Sequence, residues 1–432
     1  MATKKPTSSK SQTKTTTPKP TSLNDAKSTE PTKPVKASKS AKKEKKPKTP
    51  RTTKQKMVLT SLIFISILLV AAAITTIVLL LTHKSDIDKA ERAEFTEPIY
   101  STLTGEEIAS EELNNTPTYC VQIPNGSTDG ARPQAGLNQA GVVFEAIAER
   151  GITRFAAVFQ NANTSVIGPI RSLRPYYLDW DTPFDCTVVH AGGSDEAIAD
   201  ISTNGQRNLD ESLEYMWREN SDRSWNNLFT SPADIAKFNT AQGYNTSDIK
   251  AFPRYKPEET DAILAEIETC KTESTDESTD TTCQPTELID EITIDFGPIK
   301  SYNTIYHYDL ESNTYLRSYA DGNAHLSYNC PSDLDQPNTM AACGEPTQIA
   351  PRVVIAMFVQ ESTAGDGYHE NINTISAGSA LIFQNGDVIE ASWSKTAQNS
   401  QITFRDSAGE DIKLAPGQLW IAAVPQYGNV DY

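Results

Sequence analysis

Three arginines around one proline-flanked stretch are the residues of this sequence best suited to chemistry. Arg171 and Arg174 lie in GPIRSLRPYYLDW, residues 168–180, and Arg154 lies upstream in GITRF. Pro175 biases Arg174 toward an extended backbone, so the segment is held stiffly. Because guanidinium groups bind carboxylates and phosphates through paired hydrogen bonds, the stretch predicts a clamp for an anionic ligand.

The residues next to these arginines allow two interpretations. Tyr176 and Tyr177 could stack a sugar ring or support the clamp, which makes an anionic glycan a conceivable ligand. The alternative is structural: the arginines could pair with Glu145, Glu149 or Asp179 and simply hold strands together. Glu145 and Glu149, four residues apart, could also share acid–base work or lie on a solvated face.

A second candidate lies in VVHAGGSDEAIADI, residues 188–201, where an apolar run ends at His190 and Ser194 opens a predicted helix. Nucleophile elbows and phosphate loops share this outline. However, Ser194 also suits a helix N-cap, and Asp195 and Glu196 behind it would repel an anion. His190 could be a base or a hydrogen-bonded packing residue. We therefore keep both as candidate ligand-binding residues beside the N-cap interpretation.

The sequence predicts neither a metal site nor a cofactor. It holds no HExxH, EF-hand or Rossmann fingerprint, and His307, His325 and His369 are not spaced as metal ligands. No Cys-x-x-Cys spacing supports zinc.

The six cysteines instead predict disulfides, because all of them follow the long apolar run described below. Cys270 and Cys283, like Cys330 and Cys343, are separated by a short polar loop, so local pairing is the simplest expectation. Cys120 and Cys186 would then pair with each other.

Charge divides the chain around that apolar run. Residues 1–56 hold 17 of the 39 Lys and Arg but only 3 of the 56 Asp and Glu. The acidic remainder argues against nucleic acid as a partner of the folded part, since a phosphate backbone needs a basic face. Met57–Thr82 has 26 residues without a charge, and a span needs about 20. It predicts a single-pass signal anchor in the cell membrane, with a cytoplasmic N-terminus and extracytoplasmic C-terminal domains.

Composition also sets the expected boundaries. The tail lacks large apolar side chains and cannot bury a core, so we expect it to be disordered. The predicted segments are a basic tail at 1–56, the anchor at 57–82, a stalk at 83–99, a folded domain at 100–270, an acidic linker at 271–287 and a second domain at 288–432.

The periodicity of the folded part predicts an α+β protein. Apolar runs at 120–123, 142–149, 153–159 and 186–191 read as strands, although 142–149 fits a helix equally well, and helices are expected at 194–202, 231–239 and 257–269. This gives a mixed α/β N-terminal domain. The C-terminal domain is expected to be mainly antiparallel β, with Asn385-Gly386 as its strongest hairpin signal.

Two blocks of the chain resemble the YerB-like bacterial lipoprotein family, a domain of unknown function. The first block is carried by ARPQAGLNQAGVVFEAIAERGITRFAAVF at 131–159 and IGPIRSLRPYYLDW at 167–180, and the second by GSALIFQNGDVIEASW at 378–393. The resemblance implies an extracytoplasmic, membrane-tethered envelope protein. The family carries a lipidated cysteine, but no cysteine lies near Met57–Thr82, so the anchor here would be the helix itself. Where the family tends to show Pro-His-Asn, this chain has Trp225-Asn226-Asn227.

The sequence therefore predicts a binding module for an anionic or glycan envelope ligand or for a protein partner. The alternative is an enzyme acting on phosphorylated envelope polymers, for which the stretch 153–172 is faintly similar to the LytR-CpsA-Psr polymer ligases. A carboxylate or histidine meeting the arginines in an open cleft would favour the enzyme. Arginines that are buried and fully paired with carboxylates would count against both interpretations, the binding module and the enzyme.

Overall fold

A computed structural model describes residues 52–92, 97–219, 225–273, 288–337 and 340–432. The described residues fall into two compact units, one up to residue 92 and one from residue 97 onward. In the first unit, helix α1 (Thr53–Arg92) contains the apolar run Met57–Thr82, which is long and apolar enough to cross a membrane. Most of the predicted basic tail and of the predicted acidic linker lies outside the described residues.

The second unit mixes helices with many short strands. Its helices are α2 (Pro175–Asp181), α3 (Asp195–Thr203), α4 (Pro232–Gln242) and α5 (Pro257–Glu273). The strands of its first half are β1 (Ile99–Tyr100), β2 (Glu107–Ile108), β3 (Tyr119–Pro124), β4 (Gln134–Ala135), β5 (Val142–Glu149), β6 (Ile152–Phe159), β7 (Thr187–Val189), β8 (Asn208–Leu209), β9 (Met216–Arg218) and β10 (Leu228–Thr230). Those of its second half are β11 (Glu291–Asp295), β12 (Thr304–Asp309), β13 (Thr314–Tyr319), β14 (Leu326–Tyr328), β15 (Thr347–Gln348), β16 (Val353–Val359), β17 (Glu361–Thr363), β18 (Glu370–Ile372), β19 (Ala377–Gln384), β20 (Asp387–Ser394), β21 (Thr403–Arg405), β22 (Leu419–Pro425) and β23 (Asn429–Asp431).

Ten strands form one mixed sheet in the order β21-β20-β19-β16-β22-β5-β6-β3-β7-β8. The sheet crosses between the two sequence blocks at β22 and β5, which pair in parallel with Trp420 opposite Val143. β16 is also parallel to β22. Parallel strands need a long connection and not a hairpin turn, and the segment that contains β17–β21 provides it. The central strands are buried on both faces, as the continuous apolar runs of β5, β16 and β22 require.

Different layers cover the two faces of this sheet. Helices α2 and α3 lie over one face, where Tyr177 and Trp180 join Phe144 in a buried cluster. The opposite face is covered by the four-stranded sheet β13-β12-β11-β23 and by α4, which contribute Ile294 and Phe238 to a second buried cluster. The second unit is therefore an α+β structure, and its C-terminal region is rich in strands.

Local sequence accounts for the bounds of the helices. α4 begins after Ser231, whose hydroxyl accepts a hydrogen bond from the amide of Asp234 at 3.0 Å, and Pro232 occupies its first position. It ends at Gly243, whose φ of 77° is left-handed and suits glycine. α3 begins in the same way after Ser194, whose hydroxyl accepts from the amide of Ala197.

The expectation that Asn385-Gly386 closes a hairpin, here between β19 and β20, is confirmed. The segment 142–149, which fitted a strand and a helix equally well, is a strand. Disulfides join Cys120 to Cys186 and Cys330 to Cys343. The expected Cys270–Cys283 pair cannot be described, since residue 283 lies outside the described residues. The C-terminal half is less uniformly antiparallel than expected, because the neighbours β16 and β22 run in parallel.

Candidate functional site

The strands that run in parallel end together along one edge of the ten-stranded sheet. β16, β22 and β5 are mutually parallel, and β3, β7 and β8 are also mutually parallel. β6 lies between β5 and β3 and is antiparallel to both, so all six of these strands point the same way. In α/β sheets, ligands bind outside the carboxyl ends of such strands. The candidate arginines lie at this edge.

Glu149, at the end of β5, bridges two of the three arginines. Its Oε1 accepts from Nη2 of Arg154 at 2.8 Å and its Oε2 accepts from Nη2 of Arg174 at 2.9 Å. Arg154 lies on β6, and Arg174 occupies the N-cap position of α2. Arg154 also donates to the carbonyl of Ser172 at 2.5 Å. All three charged side chains are largely buried, so these two arginines are satisfied within the protein.

Arg171 differs from its neighbours. Its backbone is fixed, because its amide donates to the carbonyl of Gln122 and its carbonyl accepts from the amide of Ala191. Its side chain donates from Nε to Oδ1 of Asn226 at 2.7 Å, and within the described residues it makes no ion pair. Burial and the adjacent Arg154 lower the pKa of Arg171 below its usual value, although a guanidinium stays charged at neutral pH.

Asn226 orients the guanidinium of Arg171. It is fully buried, and its Nδ2 donates to the carbonyl of Asp129 at 2.9 Å, which leaves Oδ1 to accept from Arg171. No local sequence pattern marks Asn226 for this role, and the signal that it carries is its position in a stretch that departs from the resembled family. We define the edge cluster as Glu149, Arg154, Arg171, Arg174 and Asn226.

His190 and Ser194, two other candidate residues, lie near the edge cluster but make hydrogen bonds elsewhere. His190 is fully buried between the carbonyl of Gly192 and Oδ1 of Asn208, both at 2.8 Å. Ser194 caps α3. The structure thus gives both residues hydrogen-bonding roles of their own, next to the loop that holds Arg171.

Tyr176 and Tyr177 lie under the arginines and not on the surface. They are 2% and 0% exposed, and their hydroxyls donate to the carbonyls of Ile147 and Arg154. Burial raises the pKa of both hydroxyls. A sugar cannot stack on rings that the core encloses, so these tyrosines support the edge cluster from below.

The two glutamates that share a strand have separate surroundings. The pairing of β5 with β6 shifts register between Ile147 and Glu149, and such a bulge reorients the residues beyond it. The side chain of Glu149 contacts the arginines of the edge cluster, whereas the side chain of Glu145 is 0% exposed and lies on the opposite face of the sheet. Asp179 is elsewhere again, accepting from the hydroxyl of Thr374.

Glu145 belongs to a sealed polar group, which we call the core network: Glu145, Thr153, Arg317, His325, Gln134 and Trp420. Its carboxylate accepts from Nη2 of Arg317 and from Nε1 of Trp420, each at 2.8 Å, and from Thr153 at 2.9 Å. Burial lowers the pKa of Arg317, but Glu145 and nearby tyrosines together outweigh that effect and leave it raised.

His325 completes the core network as a neutral ring. Arg317 donates from Nη1 to its Nδ1, so its Nε2 carries the proton and donates to Oε1 of Gln134 at 3.0 Å. Burial and Arg317 hold the pKa of His325 well below its usual value. The network joins residues from both sequence blocks. No group of three or more His, Cys, Asp or Glu is arranged to hold a metal ion anywhere in the part of the chain that the structure describes.

Comparison with known proteins matches both blocks to one family. Residues 103–245 match the N-terminal domain, and residues 292–421 the C-terminal domain, of the protein of unknown function DUF3048. The chain is 28% identical over 299 residues to the putative lipoprotein YerB of Bacillus subtilis, covering 68% of this chain and 78% of that protein. The crystal structure of YerB from the same organism superposes with a TM-score of 0.59 and 24% identity, over 77% of this chain and all of that one, which shows a common fold.

Proposed function

We propose that this chain, which belongs to the DUF3048 family, is a membrane-anchored envelope protein that binds an anionic ligand through the edge cluster. Similarity to a putative lipoprotein and an apolar helix near the N-terminus are both compatible with an envelope-associated protein. The molecular role is our inference from the geometry at the sheet edge. Arg171 is its centre.

One observation carries the proposal: Arg171 is charged, rigidly mounted and largely unused. A guanidinium has five N–H donors in a planar fork, and the hydrogen bond to Asn226 occupies only the Nε donor. The terminal amines of Arg171 make no ion pair with any residue in the described ranges, while Arg154 and Arg174 beside it are neutralised by a shared Glu149. A carboxylate or phosphate would satisfy that remaining fork.

The surroundings favour an anion over a neutral ligand. Three arginines face one bridging carboxylate, so the edge cluster is locally cationic within a strongly acidic extracytoplasmic part. Trp225 precedes Asn226 and is 74% exposed, so an aromatic surface for a sugar lies beside the cluster. An anionic envelope glycan combines both features.

The anchor defines where such a ligand would be met. Seventeen basic residues precede the apolar run and acidic residues dominate after it, so the positive-inside rule places the second unit outside the cytoplasmic membrane. A membrane-impermeant label applied to intact cells should modify lysines after residue 97 and spare those of residues 1–56. Labelling of the tail alone would refute this orientation.

Binding is tested with the full chain in lipid nanodiscs by calorimetric titration of inorganic phosphate and by pull-down of purified envelope polymers. Arg171→Gln should weaken phosphate binding about tenfold or more, since it removes a charge-assisted pair. Arg405→Gln is the matched control, because Arg405 is half exposed and pairs with Asp411 on another surface.

Two outcomes would decide against binding at this site. Unchanged phosphate affinity in Arg171→Gln would refute the role of Arg171. Release of phosphate or shortening of the polymer by the wild-type chain would instead favour the alternative, an enzyme acting on phosphorylated envelope polymers.

A further inference from the structure

A second group of ionisable residues lies at the same sheet edge, on the side supplied by the C-terminal block. β16 and β22 are parallel neighbours, and shortly after they end the chain places Glu361 and Tyr427. The hairpin of β17 and β18 carries Glu370. The backbone of its His369 forms an isolated antiparallel β-bridge with the backbone of Glu149 in the edge cluster. The two groups therefore adjoin.

Glu361 and Glu370 lie on one face of this hairpin. Glu361 is opposite Ile372 and Thr363 is opposite Glu370, so the two glutamates are diagonal neighbours on the same face. Oε1 of Glu361 accepts from the hydroxyl of Tyr427 at 2.7 Å. Its Oε2 is buried without a hydrogen-bond partner.

The buried carboxylate of Glu370 has fewer hydrogen-bond partners than that of Glu361. It is 9% exposed, and among the described residues no side chain forms a hydrogen bond or an ion pair with its carboxylate. The groups that act on Glu361 are Tyr427 and Glu370, and neither is a cation. The nearest histidine in sequence, His369, is paired with Asp366 instead.

Two largely buried carboxylates without a cation are costly unless something neutralises them. Burial, together with Glu370, raises the pKa of Glu361 to about 7, against the opposing effect of the Tyr427 hydrogen bond. A proton on Glu361 is one solution, and a bound cation is the other. The ring of Tyr427 is 65% exposed beside the carboxylates, and an aromatic face next to acids is suited to an ammonium group.

We propose that Glu361, Glu370 and Tyr427 form a subsite for the ammonium group of a ligand. A Ca²⁺ ion would need six to eight oxygen ligands, more than two carboxylates and a phenol provide. The subsite rests on the proposed function in one respect, since the same ligand would place its anionic group at Arg171.

The spacing of the sheet sets the length of that ligand. Glu361 follows β16, and Arg171 is bonded to β3, four strands away in the sheet order. At about 4.8 Å per strand this is roughly 15–20 Å, the length of about five or six extended residues. The ligand is therefore a molecule of about that length with a free amine at one end and an anionic group at the other.

The test separates the two subsites with two simple probes, 1,5-diaminopentane and inorganic phosphate. Both are titrated calorimetrically into the full chain in nanodiscs at a pH about one unit above the pKa of Glu361. Glu370→Gln and Glu361→Gln should each weaken diaminopentane binding about fivefold or more and leave phosphate binding unchanged. Glu390→Gln, an exposed glutamate on β20, is the control.

Each result has one meaning. If diaminopentane binds equally to wild type and Glu370→Gln, or if Ca²⁺ binds through these glutamates and displaces it, the ammonium subsite is refuted. Diaminopentane binding that depends on Glu370 supports it even if phosphate fails to bind, in which case only the role of Arg171 falls. Thermal unfolding of each variant shows whether it is folded.

Discussion

The core network and the edge cluster each contain a glutamate from β5 and at least one arginine, but they leave Arg317 and Arg171 in opposite states. In the core network, Arg317 donates to Tyr306, His325 and Glu145 and is 0% exposed. In the edge cluster, the guanidinium of Arg171 donates once among the described residues, to Asn226, and Arg171 is partly exposed. β5 supplies the glutamate of both regions, Glu145 at its middle and Glu149 at its end.

The difference shows that position along the strand decides what an arginine can do. The middle of β5 is covered on both faces, so any charge there needs complete pairing. At the sheet edge near the end of β5, by contrast, the side chain of Arg171 is only partly buried and keeps donors that no described residue occupies. We expect substitutions of fully paired residues, such as Arg317 and Glu149, to change stability, and substitution of Arg171 to change binding.

The largest effect should come from Arg317→Met. It leaves Glu145 buried without its cation, and breaking such a pair costs about 3–5 kcal/mol of unfolding free energy. Urea unfolding followed by tryptophan fluorescence measures it. The double variant Glu145→Gln with Arg317→Met should recover part of the loss. A cost below about 1 kcal/mol would remove the contrast between the two regions.

Glu149→Gln should have the next largest effect on stability. It removes the bridge between Arg154 and Arg174 and leaves two largely buried arginines without a carboxylate, which we expect to cost about 2 kcal/mol. The same variant should bind phosphate at least as tightly as wild type, because the edge cluster becomes more cationic. Weaker phosphate binding would mean that Glu149 positions Arg171 indirectly.

Stability should also depend on pH through Glu361. Its pKa is raised in the folded chain to about 7, so the folded state holds a proton that the unfolded state has already lost. The contribution of Glu361 to the free energy of unfolding is fully present below its pKa in the unfolded chain, near 4.5, and is lost as the pH rises through its folded pKa of about 7. After allowance for solvent screening we expect about 1–2 kcal/mol. The slope of unfolding free energy against pH should flatten in Glu361→Gln.

The smallest stability effect should come from Arg171→Gln. Its guanidinium makes one hydrogen bond and no ion pair with a described residue, so the change should cost about 0.5–1 kcal/mol. Phosphate binding should fall by the factor given above. If Arg171→Gln unfolds as readily as Arg317→Met, Arg171 is a structural arginine like Arg317.

Sequence patterns predicted the local elements of this fold well. The strands β5 and β6 and the helices α3 and α4 lie within a few residues of their expected places, and the hairpin at Asn385-Gly386 is present. Helix α2 was not predicted, because its seven residues are too few to show a period. The pairing of β22 with β5 was not predicted either, since partners such as Leu419 and Val142 are 419 − 142 = 277 residues apart in sequence, and pairing at that distance depends on tertiary packing.

The candidate site was found in part for the same reason. Arginine, proline and the following aromatic residues were visible as a local stretch, so Arg171 and Arg174 were identified. Nothing local indicated that Asn226 would hold Arg171, or that Glu361 and Glu370 would adjoin Glu149. Those contacts join distant segments that meet only when the sheet forms.

The sequence by itself determined the apolar run, the charge asymmetry on its two sides, the position of all six cysteines after that run and the identity of most strands, because each is a property of neighbouring residues. Only the tertiary structure decided which of the arginines would be saturated. Arg154 and Arg174 pair with Glu149, and Arg317 pairs with Glu145, whereas the side chain of Arg171 bonds only to an amide among the described residues. The physical reason is that the pairing of a charge depends on which segments surround it after folding, and composition carries no information about that.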